Sequence, residues 1–319
     1  MMEHKTTFTM VSYNRRDQVK ALLQSVLAGD KVPEELIVVD NASSDGTVEM
    51  LARDFPQVRV IANRENLMAS MAVNQGIAAA TGEFVFASAD DNVVDRACVR
   101  ELYDAMLSHP DAALVAPVMY FYDAPDRIWY AGCDLNITTG LTNFLTEIPK
   151  EKVVETTCAP NCYMVRRSVL QTIGGQDVAT FPFHHEEADW SFRASEAGFK
   201  NYVARDAREF HRTPVPKYRS PIGSGDFSID DPMRAYYHAR SRALLARRHA
   251  KGLSKAVFFA LFYPATVLAY VLICAVQSKQ HLKTSAAFVR GAIAGLTMTL
   301  PPPPPPLLDK NGAPAPSIS

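Results

Sequence analysis

Two adjacent carboxylates, Asp90 and Asp91, follow an apolar run that begins at Phe84. Such runs are typical of buried strands in parallel sheets, and open α/β sheets bind ligands beyond the carboxyl ends of their strands. Neighbouring carboxylates repel each other unless a cation lies between them. Mg²⁺ takes one or two protein carboxylates and leaves its other positions to substrate phosphates. The pattern therefore predicts a site for a metal-bound diphosphate, with an Asp-rich turn as the alternative interpretation.

Three further polar segments follow predicted strands and are expected to face the same crevice. They contain Ser12, Tyr13 and Asn14 after the first strand, Asp40 after the second, and Asn66 and Asn74 after the third. Asp40 can accept a hydrogen bond from a pyrimidine ring N–H or a ribose hydroxyl. No Gly-x-Gly-x-x-Gly follows the first strand and no Walker loop occurs. The sequence therefore argues against a dinucleotide site and predicts that the metal holds the phosphates.

Three acids, Glu186, Glu187 and Asp189, precede a predicted helix at 189–197. They indicate either a general base that takes a proton from an acceptor hydroxyl, or simple stabilisation of a helix N-terminus. The preceding pair His184 and His185 suggests zinc only weakly, because the spacing supplies no second ligand pair.

A single histidine, His211, follows a predicted strand at 202–204. Its imidazole can complete a metal shell, although an isolated histidine is more often a polar surface residue.

The elements that must position these residues alternate along the first ~120 residues. Strands are predicted at 7–13, 36–40, 58–62, 84–87 and 113–117, and helices at 17–27, 47–53, 69–80 and 97–107. This rhythm predicts an α/β fold whose parallel sheet carries helices on both faces. Residues 119–180 are irregular and turn-rich, and we expect them to supply an acceptor-binding surface.

The composition excludes one class of partner and favours one compartment. The formal net charge of −1 over 319 residues argues against a nucleic-acid binder. The five cysteines are odd in number and scattered, which predicts reduced thiols in a cytosolic protein, with a Cys158–Cys162 pair as the alternative. The polar N-terminal residues lead directly into a strand, so no signal peptide is predicted.

The C-terminal third predicts contact with a membrane. Seven Lys or Arg residues and no acid lie within 234–255, and residues 256–276 carry no charge, a length that spans a bilayer. Pro264 is expected to kink this segment, and a buried hairpin helix is the alternative. The basic stretch predicts the cytoplasmic side and either attraction to anionic lipid or a place for a polyprenyl diphosphate acceptor, with a solvated helix face as the alternative. Lys279, Lys283 and Arg290 follow the apolar segment and favour a re-entrant or interfacial hairpin as much as a single pass. Six prolines at 301–306 predict an extended, disordered tail.

Several motifs together resemble the family-2 glycosyltransferases of the GT-A fold. They are VSYNR at 11–15, VVDNASSDGT at 38–47, NLMASMAVNQGIAAATGEFVF at 66–86, ADD at 89–91, EEADWSFRASEAGFK at 186–200 and EFH at 209–211. The subgroup that looks most similar is the rhamnosyltransferase type of bacterial surface polysaccharide assembly.

The resemblance implies an inverting enzyme that uses a nucleotide-diphosphate sugar with Mg²⁺ or Mn²⁺. Asp40 matches the acid that contacts the nucleotide, and Asp90 and Asp91 match the metal motif. Glu187 matches the catalytic base, with Glu186 and Asp189 beside it, and His211 matches a histidine near the metal. Where the family usually has Asp-x-Asp, this chain has Ser88-Ala89-Asp90-Asp91, so which acid meets the metal is open.

The implied donor is dTDP-rhamnose or a UDP-sugar, and the implied acceptor is a polysaccharide or a polyprenyl-linked glycan at the cytoplasmic face of the inner membrane. The implied organisation is a nucleotide-sugar-binding half at 1–118 and an acceptor-binding half at 119–230. A membrane-associated segment at 231–300 and the tail at 301–319 follow. A membrane-anchored nucleotide-sugar-binding protein without turnover is the alternative, and a nucleotidyltransferase is a weaker one because no glycine-rich, basic loop follows the first strand.

Overall fold

A computed structural model describes residues 4–215 and 230–315. Its strands are β1 (Thr6–Ser12), β2 (Glu35–Asp40), β3 (Arg59–Ala62), β4 (Phe84–Ala89), β5 (Asn92–Val94), β6 (Ala112–Phe121), β7 (Ala124–Tyr130), β8 (Cys133–Asn136), β9 (Leu141–Phe144), β10 (Val153–Glu155), β11 (Tyr163–Arg166) and β12 (Lys200–His211). Its α-helices are α1 (Arg16–Leu27), α2 (Thr47–Asp54), α3 (Ala69–Ala79), α4 (Cys98–Ser108), α5 (Leu170–Ile173), α6 (Glu186–Glu196), α7 (Pro232–His249), α8 (Gly252–Val257), α9 (Tyr263–Gln277) and α10 (His281–Thr297).

The main sheet has ten strands, eight of them in the order β10-β12-β6-β11-β4-β1-β2-β3. Strands β3, β2, β1 and β4 are parallel neighbours, as the alternation of strands and helices predicts. Strand β11 then runs antiparallel between β4 and β6, and β12 pairs with β6 in parallel. The parallel half therefore ends its strands β1, β2 and β4 at one edge, where polar loops can converge on a ligand.

Both faces of this sheet are covered, because side chains alternate along each strand. Phe8 and Met10 of β1 point into one core together with side chains of α1, α2 and α4. Ile37 and Val39 of β2 point into a second core together with side chains of α3, α5 and α6. The α/β prediction with helices on both faces is confirmed.

Two boundaries differ from the sequence expectation. Strand β6 continues to Phe121 and so crosses the predicted boundary between 118 and 119 within one sheet. Helix α6 begins at Glu186 rather than at residue 189, because the turn at His184 and His185 already directs the chain into the helix. Residues 216–229 of the predicted acceptor half lie outside the described residues.

The C-terminal helices form a separate layer on α7. Gly291 and Gly295 of α10 let that helix approach α7 closely, since a Cβ on Gly291 would lie 2.1 Å from the carbonyl oxygen of Tyr236. Helices α8 and α9 are continuous through a π-helical turn, Phe258–Phe262, which lies directly before Pro264 and accommodates its missing N–H. The whole stretch Gly252–Gln277 is long and apolar enough to cross a membrane, and 28% of its most apolar window is buried.

Two C-terminal expectations differ from the structure. The basic residues of α7 were expected to meet anionic lipid, yet Arg240 is buried and bonds to Thr180, and the Arg248 side chain, 6% exposed, pairs with Asp177 of the α/β domain. The tail was expected to be disordered, yet Leu307 is 5% exposed and its N–H donates to the Leu170 carbonyl at 3.2 Å. In both cases the side chains gain buried partners on the α/β domain. Residues 316–319 lie outside the described residues.

The cysteines lie in the core. All five are free and buried. The neighbour of Cys158 is Cys133, with 3.1 Å between the two sulfur atoms, and Cys162 instead bonds to the carboxylate of Glu209. The alternative Cys158–Cys162 pair is therefore not formed.

Candidate active site

A cavity of about 450 Å³ opens at the carboxyl ends of β1 and β4 and reaches the first turn of α6. The residues that line it include Tyr13, Arg15, Asn66, Asp90, Asp91, Glu186 and Glu187. Two predicted groups of acids, which lie about a hundred positions apart in the chain, therefore face one shared space. The two groups meet because the loop after β4 and the N-terminus of α6 both reach this edge of the sheet.

Arg15 bridges the Asp90–Asp91 pair. Its Nη1 lies 3.1 Å from Asp90 Oδ1 and 2.6 Å from Asp91 Oδ2. Burial raises the pKa of Asp90 to about 6, with the charge of Arg15 opposing this shift and that of Asp91 adding to it. Burial also acts to raise the pKa of Asp91, but bonds from His211 and Arg15 outweigh it and lower that pKa to about 2. Asp91 is thus the more strongly ionised member of the pair.

His211 stands beside Asp91 at the end of β12. His211 is the register partner of Asn92 in β5, and its Nε2 lies 3.4 Å from Asp91 Oδ1. The ring is stacked on Trp129, with centroids 4.5 Å apart and 9° between the planes. Its Nδ1 is buried and has no hydrogen-bond partner among the described residues. The imidazole is therefore held in a fixed orientation next to the acidic pair.

The donor set suits a hard divalent cation that is shared with a substrate. The guanidinium of Arg15 already marks a position where positive charge contacts both carboxylates. Within the described part of the chain, no group of three or more His, Cys, Asp or Glu residues is arranged to hold a metal. A Mg²⁺ or Mn²⁺ ion held by Asp91 and Asp90, with His211 at hand, would therefore take further ligands from phosphate oxygens.

Glu186 and Glu187, at the start of α6, line another wall of the cavity, and no cation of the described residues bonds to either carboxylate. Asn161 donates its backbone N–H to Glu187 Oε1 at 2.8 Å, whereas Glu186 Oε2 is buried without a partner among the described residues. Burial raises the pKa of both carboxyls, and the charge of Glu186 raises that of Glu187 further. A carboxylate of raised pKa is a stronger base, which is the property that a proton acceptor needs at neutral pH.

The turn before α6 has an unusual backbone. His184 and His185 have φ values of 63° and 68°, a left-handed conformation that non-glycine residues adopt at a cost. Such conformations cluster at functional sites, where the surrounding structure imposes them. Here the turn sets the direction of α6 and so directs Glu186 and Glu187 into the cavity.

Asp189 does not share the cavity, which corrects the prediction of a catalytic role for it. Its side chain is 0% exposed and bonds to Arg193 Nε at 2.8 Å, to Arg248 Nη1 at 2.8 Å and to His249 Nε2 at 3.0 Å. Burial alone would raise its pKa, but these cationic partners lower it to about 2. Two positions after Glu187 on a helix, it points the other way and ties α6 to α7.

Of the residues predicted to bind the nucleotide, some line a cavity and others are buried beneath its surface. Tyr13 and Asn66 line the cavity, and Asn14 lines an adjoining depression that also contains Arg15 and Asp91. Ser12 and Asp40 are register partners in β1 and β2 and are almost fully buried. Asp40 Oδ2 accepts from the N–H of Ser43 at 2.9 Å, while Asp40 Oδ1 and Ser12 Oγ have no partner among the described residues.

Asn74 is a structural residue, which corrects its prediction as a nucleotide ligand. It is 6% exposed, its Nδ2 donates to the carbonyl of Gln176 at 2.9 Å, and its Oδ1 accepts from the N–H of Gln176 at 2.8 Å. Through these two bonds and its burial, Asn74 fixes the loop that carries Gln176 to α3, and it does not line the cavity.

The cavity is also lined by residues that were not predicted as site residues, among them Arg15, Asn41 and Asn161. Arg15 lies in the VSYNR motif, so its proximity to the acids could have been inferred from the order of β1 and β4. Asn161 has a φ of 68°, which asparagine tolerates better than most residues, but no pattern in the sequence links it to Glu187.

Comparison with known proteins agrees with this geometry. A model of the family "Glycosyl transferase family 2" matches residues 7–174. The succinoglycan biosynthesis protein ExoO of Rhizobium meliloti is 34% identical over 108 residues, which cover 34% of this chain and 30% of that protein. The N-acetylglucosaminyl-diphospho-decaprenol L-rhamnosyltransferase of Mycobacterium tuberculosis is 23% identical over 269 residues, which cover 75% of this chain and 83% of that protein. The matches to the first two curated relatives span less than a third of their lengths.

Solved structures share the fold. The mannosyltransferase PcManGT of Pyrobaculum calidifontis, solved with GDP-Man and Mn²⁺, has a TM-score of 0.56 at 16% identity and is matched over 93% of this chain and 88% of its own. Staphylococcus aureus TarS (residues 1–349) has a TM-score of 0.58 at 14% identity, over 90% and 81% of the two chains. The fold is thus the GT-A fold, and because the family match covers more than half of the chain, this protein belongs to the family 2 glycosyltransferases, enzymes that act on nucleotide sugars.

Proposed function

We propose that this glycosyltransferase inverts the anomeric centre of a dTDP- or UDP-linked sugar and transfers it to a glycan acceptor in a metal-dependent single displacement. The observation that carries the proposal is the shared cavity with Asp90 and Asp91 on one wall and Glu186 and Glu187 on the other. An in-line displacement needs a cationic site at the departing diphosphate and a base on the far side of the sugar, and the two walls offer these two chemistries.

The acidic pair and its neighbours handle the departing group. Asp91 and Asp90 would hold Mg²⁺ or Mn²⁺, with His211 beside them in contact with Asp91, and the ion would supply Lewis-acid stabilisation of the diphosphate charge. Arg15 offsets part of the charge of the pair when no other cation is bound, and its side chain is 44% exposed, so it would be able to contact a phosphate. Asp40 Oδ1, which lacks a partner among the described residues, would accept from a pyrimidine N–H beside Ser12, Tyr13 and Asn14.

Glu187 acts on the incoming hydroxyl. Its raised pKa makes it a competent proton acceptor, and the N–H of Asn161 fixes the oxygen Oε1, so that Oε2 remains for the acceptor. Glu186 increases the basicity of Glu187 through its own charge. The proton thus moves from the acceptor oxygen to Glu187 as that oxygen attacks the anomeric carbon and the bond to the nucleotide diphosphate breaks.

The acceptor is proposed to be a polyprenyl-linked glycan met at the cytoplasmic face of the plasma membrane. Leu268, Leu272 and Val276 of α9 are 61%, 56% and 83% exposed, an apolar face that water disfavours. Because α10 packs closely on α7 and α7 is tied to the α/β domain through Asp189, we infer that the α9–α10 hairpin lies in the membrane interface rather than crossing it. Co-sedimentation with anionic vesicles tests this placement.

The decisive experiment uses the purified full chain with a panel of UDP- and dTDP-sugars. Only a true donor should raise the melting temperature in the presence of Mn²⁺, and only that donor should be slowly hydrolysed. EDTA should abolish both effects. Donor binding without hydrolysis or transfer would instead support a nucleotide-sugar-binding protein that lacks turnover, and an absence of any donor effect would overturn the proposal.

A further inference from the structure

Helix α7 contains a buried cation that pairs with no acid of the described residues. Arg242 is 4% exposed, and its Nε and Nη1 are buried with no hydrogen-bond partner among the described residues. Its neighbours on the same helix differ, because Arg240 donates to the Thr180 carbonyl and Arg248 pairs with Asp177 and Asp189. A buried charge without a partner is costly, and a bound anion would remove that cost.

A cluster of three imidazoles adjoins this arginine through His238. Its Nη2 lies 3.4 Å from Nε2 of His238, and the His238 ring lies 5.8 Å from that of His184 and 5.9 Å from that of His185. Burial lowers the pKa of His184 to about 4 and that of His185 to about 3, so both are neutral at pH 7 and can each donate one N–H. His184 Nε2 is buried and has no partner among the residues that the structure describes.

No carboxylate competes for the guanidinium. Across residues 4–215 and 230–315, no hydrogen bond or ion pair joins an acid to Arg242. The cluster thus offers one permanent positive charge and several neutral N–H donors, a combination that fits an anion with several oxygen atoms.

The cluster connects the catalytic cavity with the apolar helices. His185 directly precedes Glu186, which lines the cavity, and the left-handed turn at His184 and His185 sets both the imidazoles and the start of α6. On its other side, the His238 ring contacts the ring of Tyr270 on α9 at 5.0 Å. An anion bound here would lie between the transfer site and the exposed apolar face of α9.

We propose that Arg242, together with His184, His185 and His238, binds the diphosphate of a lipid-linked acceptor, whose apolar chain leaves along α9. This inference rests on the proposed transferase function, since the acceptor sugar would extend from this diphosphate toward Glu187. Inorganic diphosphate shares the same chemistry, so the lipid must be distinguished from it by experiment.

The test measures binding of farnesyl diphosphate, inorganic diphosphate and farnesol to the full chain by calorimetry, without donor or metal. Wild-type protein should bind farnesyl diphosphate at least ~10-fold more tightly than inorganic diphosphate, and farnesol weakly. Arg242→Gln should weaken farnesyl diphosphate binding at least ~10-fold, the loss expected for a charge-assisted hydrogen bond. Arg242→Lys should recover part of it, and Arg290→Gln, which removes an exposed charge on α10, should leave it unchanged.

A second variant keeps the test valid if Arg242→Gln fails to fold. His184→Gln retains hydrogen-bonding capacity at a partly exposed position and should weaken farnesyl diphosphate binding several-fold. Unchanged affinity in the folded variants would overturn the proposal, and so would equal affinity for inorganic and farnesyl diphosphate. Donor hydrolysis in the presence of Mn²⁺ is measured in parallel. If it persists in Arg242→Gln while lipid binding is lost, the acceptor site is confirmed, whereas its absence in the wild type would count against the transferase and not against the anion site.

Discussion

The two walls of the cavity carry carboxylate pairs of opposite electrostatic character. Arg15 bridges Asp90 and Asp91 at 3.1 and 2.6 Å, and His211 adds a further contact to Asp91. No cation of the described residues bonds to Glu186 or Glu187, and burial raises the pKa of both. Adjacent acids on one wall are therefore prepared to hold positive charge, and those on the other are prepared to hold a proton.

This difference in environment is the basis of the different roles that we propose for the two pairs. Pairs of acids whose surroundings separate their pKa values are the usual basis for dividing acid–base tasks within one site. Asp189 extends the comparison, because it lies two positions from Glu187 yet is neutralised by Arg193, Arg248 and His249. The same helix turn thus contains one acid that faces the cavity and one that is held in an ion network.

Among the variants that test the difference between the two walls, Glu187→Gln should have the largest effect on turnover. The amide keeps the shape and the bond from Asn161 but cannot take a proton, so turnover should fall by ~10²–10⁴, the usual contribution of a general base. Donor binding, measured by thermal shift with Mn²⁺, should be unchanged. Near-normal transfer by this variant would show that the base lies elsewhere.

Asp189→Asn tests whether the third acid is structural. Removing one member of a buried ion network should destabilise the protein by about 3–5 kcal/mol, measured by denaturant unfolding. Asp17→Asn is the matched control, because its bond to Arg16 is exposed and should contribute less than about 1 kcal/mol. A stable Asp189→Asn protein with lost turnover would instead return Asp189 to the catalytic site.

The acidic pair is tested by comparing Asp91→Asn with Asp90→Asn. Asp91 is the more strongly ionised and lies between Arg15 and His211, so its loss should raise the Mn²⁺ concentration needed for half-maximal activity ~10–100-fold. Asp90→Asn should have a smaller effect, because burial already raises its pKa to about 6. Mn²⁺ titration of donor binding measures both. Equal and negligible effects would mean that no metal binds here.

Much of the fold and part of the site were predictable from sequence. The apolar runs that end at Asp40 and Asp91 predict β2 and β4, because buried parallel strands need such runs and the sheet edge collects their polar ends. The shared cavity of Asp91 and Glu187 was predicted from the resemblance. These features depend on local pattern and strand order, which the sequence displays directly.

The remainder depends on contacts between distant segments. Asp189 reads like Glu187 in the sequence, and only the packing of α7 against α6 brings Arg248 and His249 to it. Asn74 bonds to a backbone 102 positions away, and the tail finds its place through Leu307 against Leu170. Such long-range contacts leave no periodic pattern in the sequence. Asp189 and Asn74 were therefore predicted to be site residues, and the tail was predicted to be disordered.

The smallest expected effect is a change in pH dependence. Its direction differs between the two walls, because the pKa of Glu187 is raised and that of Asp91 is lowered. Glu187 must be ionised to act as a base, so the rate should rise about tenfold per pH unit up to a pKa that lies above the ordinary carboxyl value of 4.5. Stability should change in the opposite sense, because a group whose pKa is raised by folding binds more protons when folded and destabilises the protein as pH increases through that pKa. Asp91 and Asp189, with pKa values lowered to about 2, stabilise the fold at neutral pH and lose that contribution as the solution is acidified toward pH 2.

Glu186→Gln tests how much the charge of Glu186 raises the pKa of Glu187. Without the neighbouring charge, the pKa of Glu187 should fall, so the acid limb of the pH–rate profile should move to lower pH while maximal turnover declines only modestly. Unfolding followed between pH 4 and 9 should show less destabilisation at the alkaline end for this variant than for the wild type. Exposed Glu65 offers a matched control, since Glu65→Gln removes the same charge away from the acidic pair and should move neither curve. If the acid limb of the pH–rate profile does not move in Glu186→Gln, the two glutamates titrate independently. Burial alone would then account for the raised pKa of Glu187.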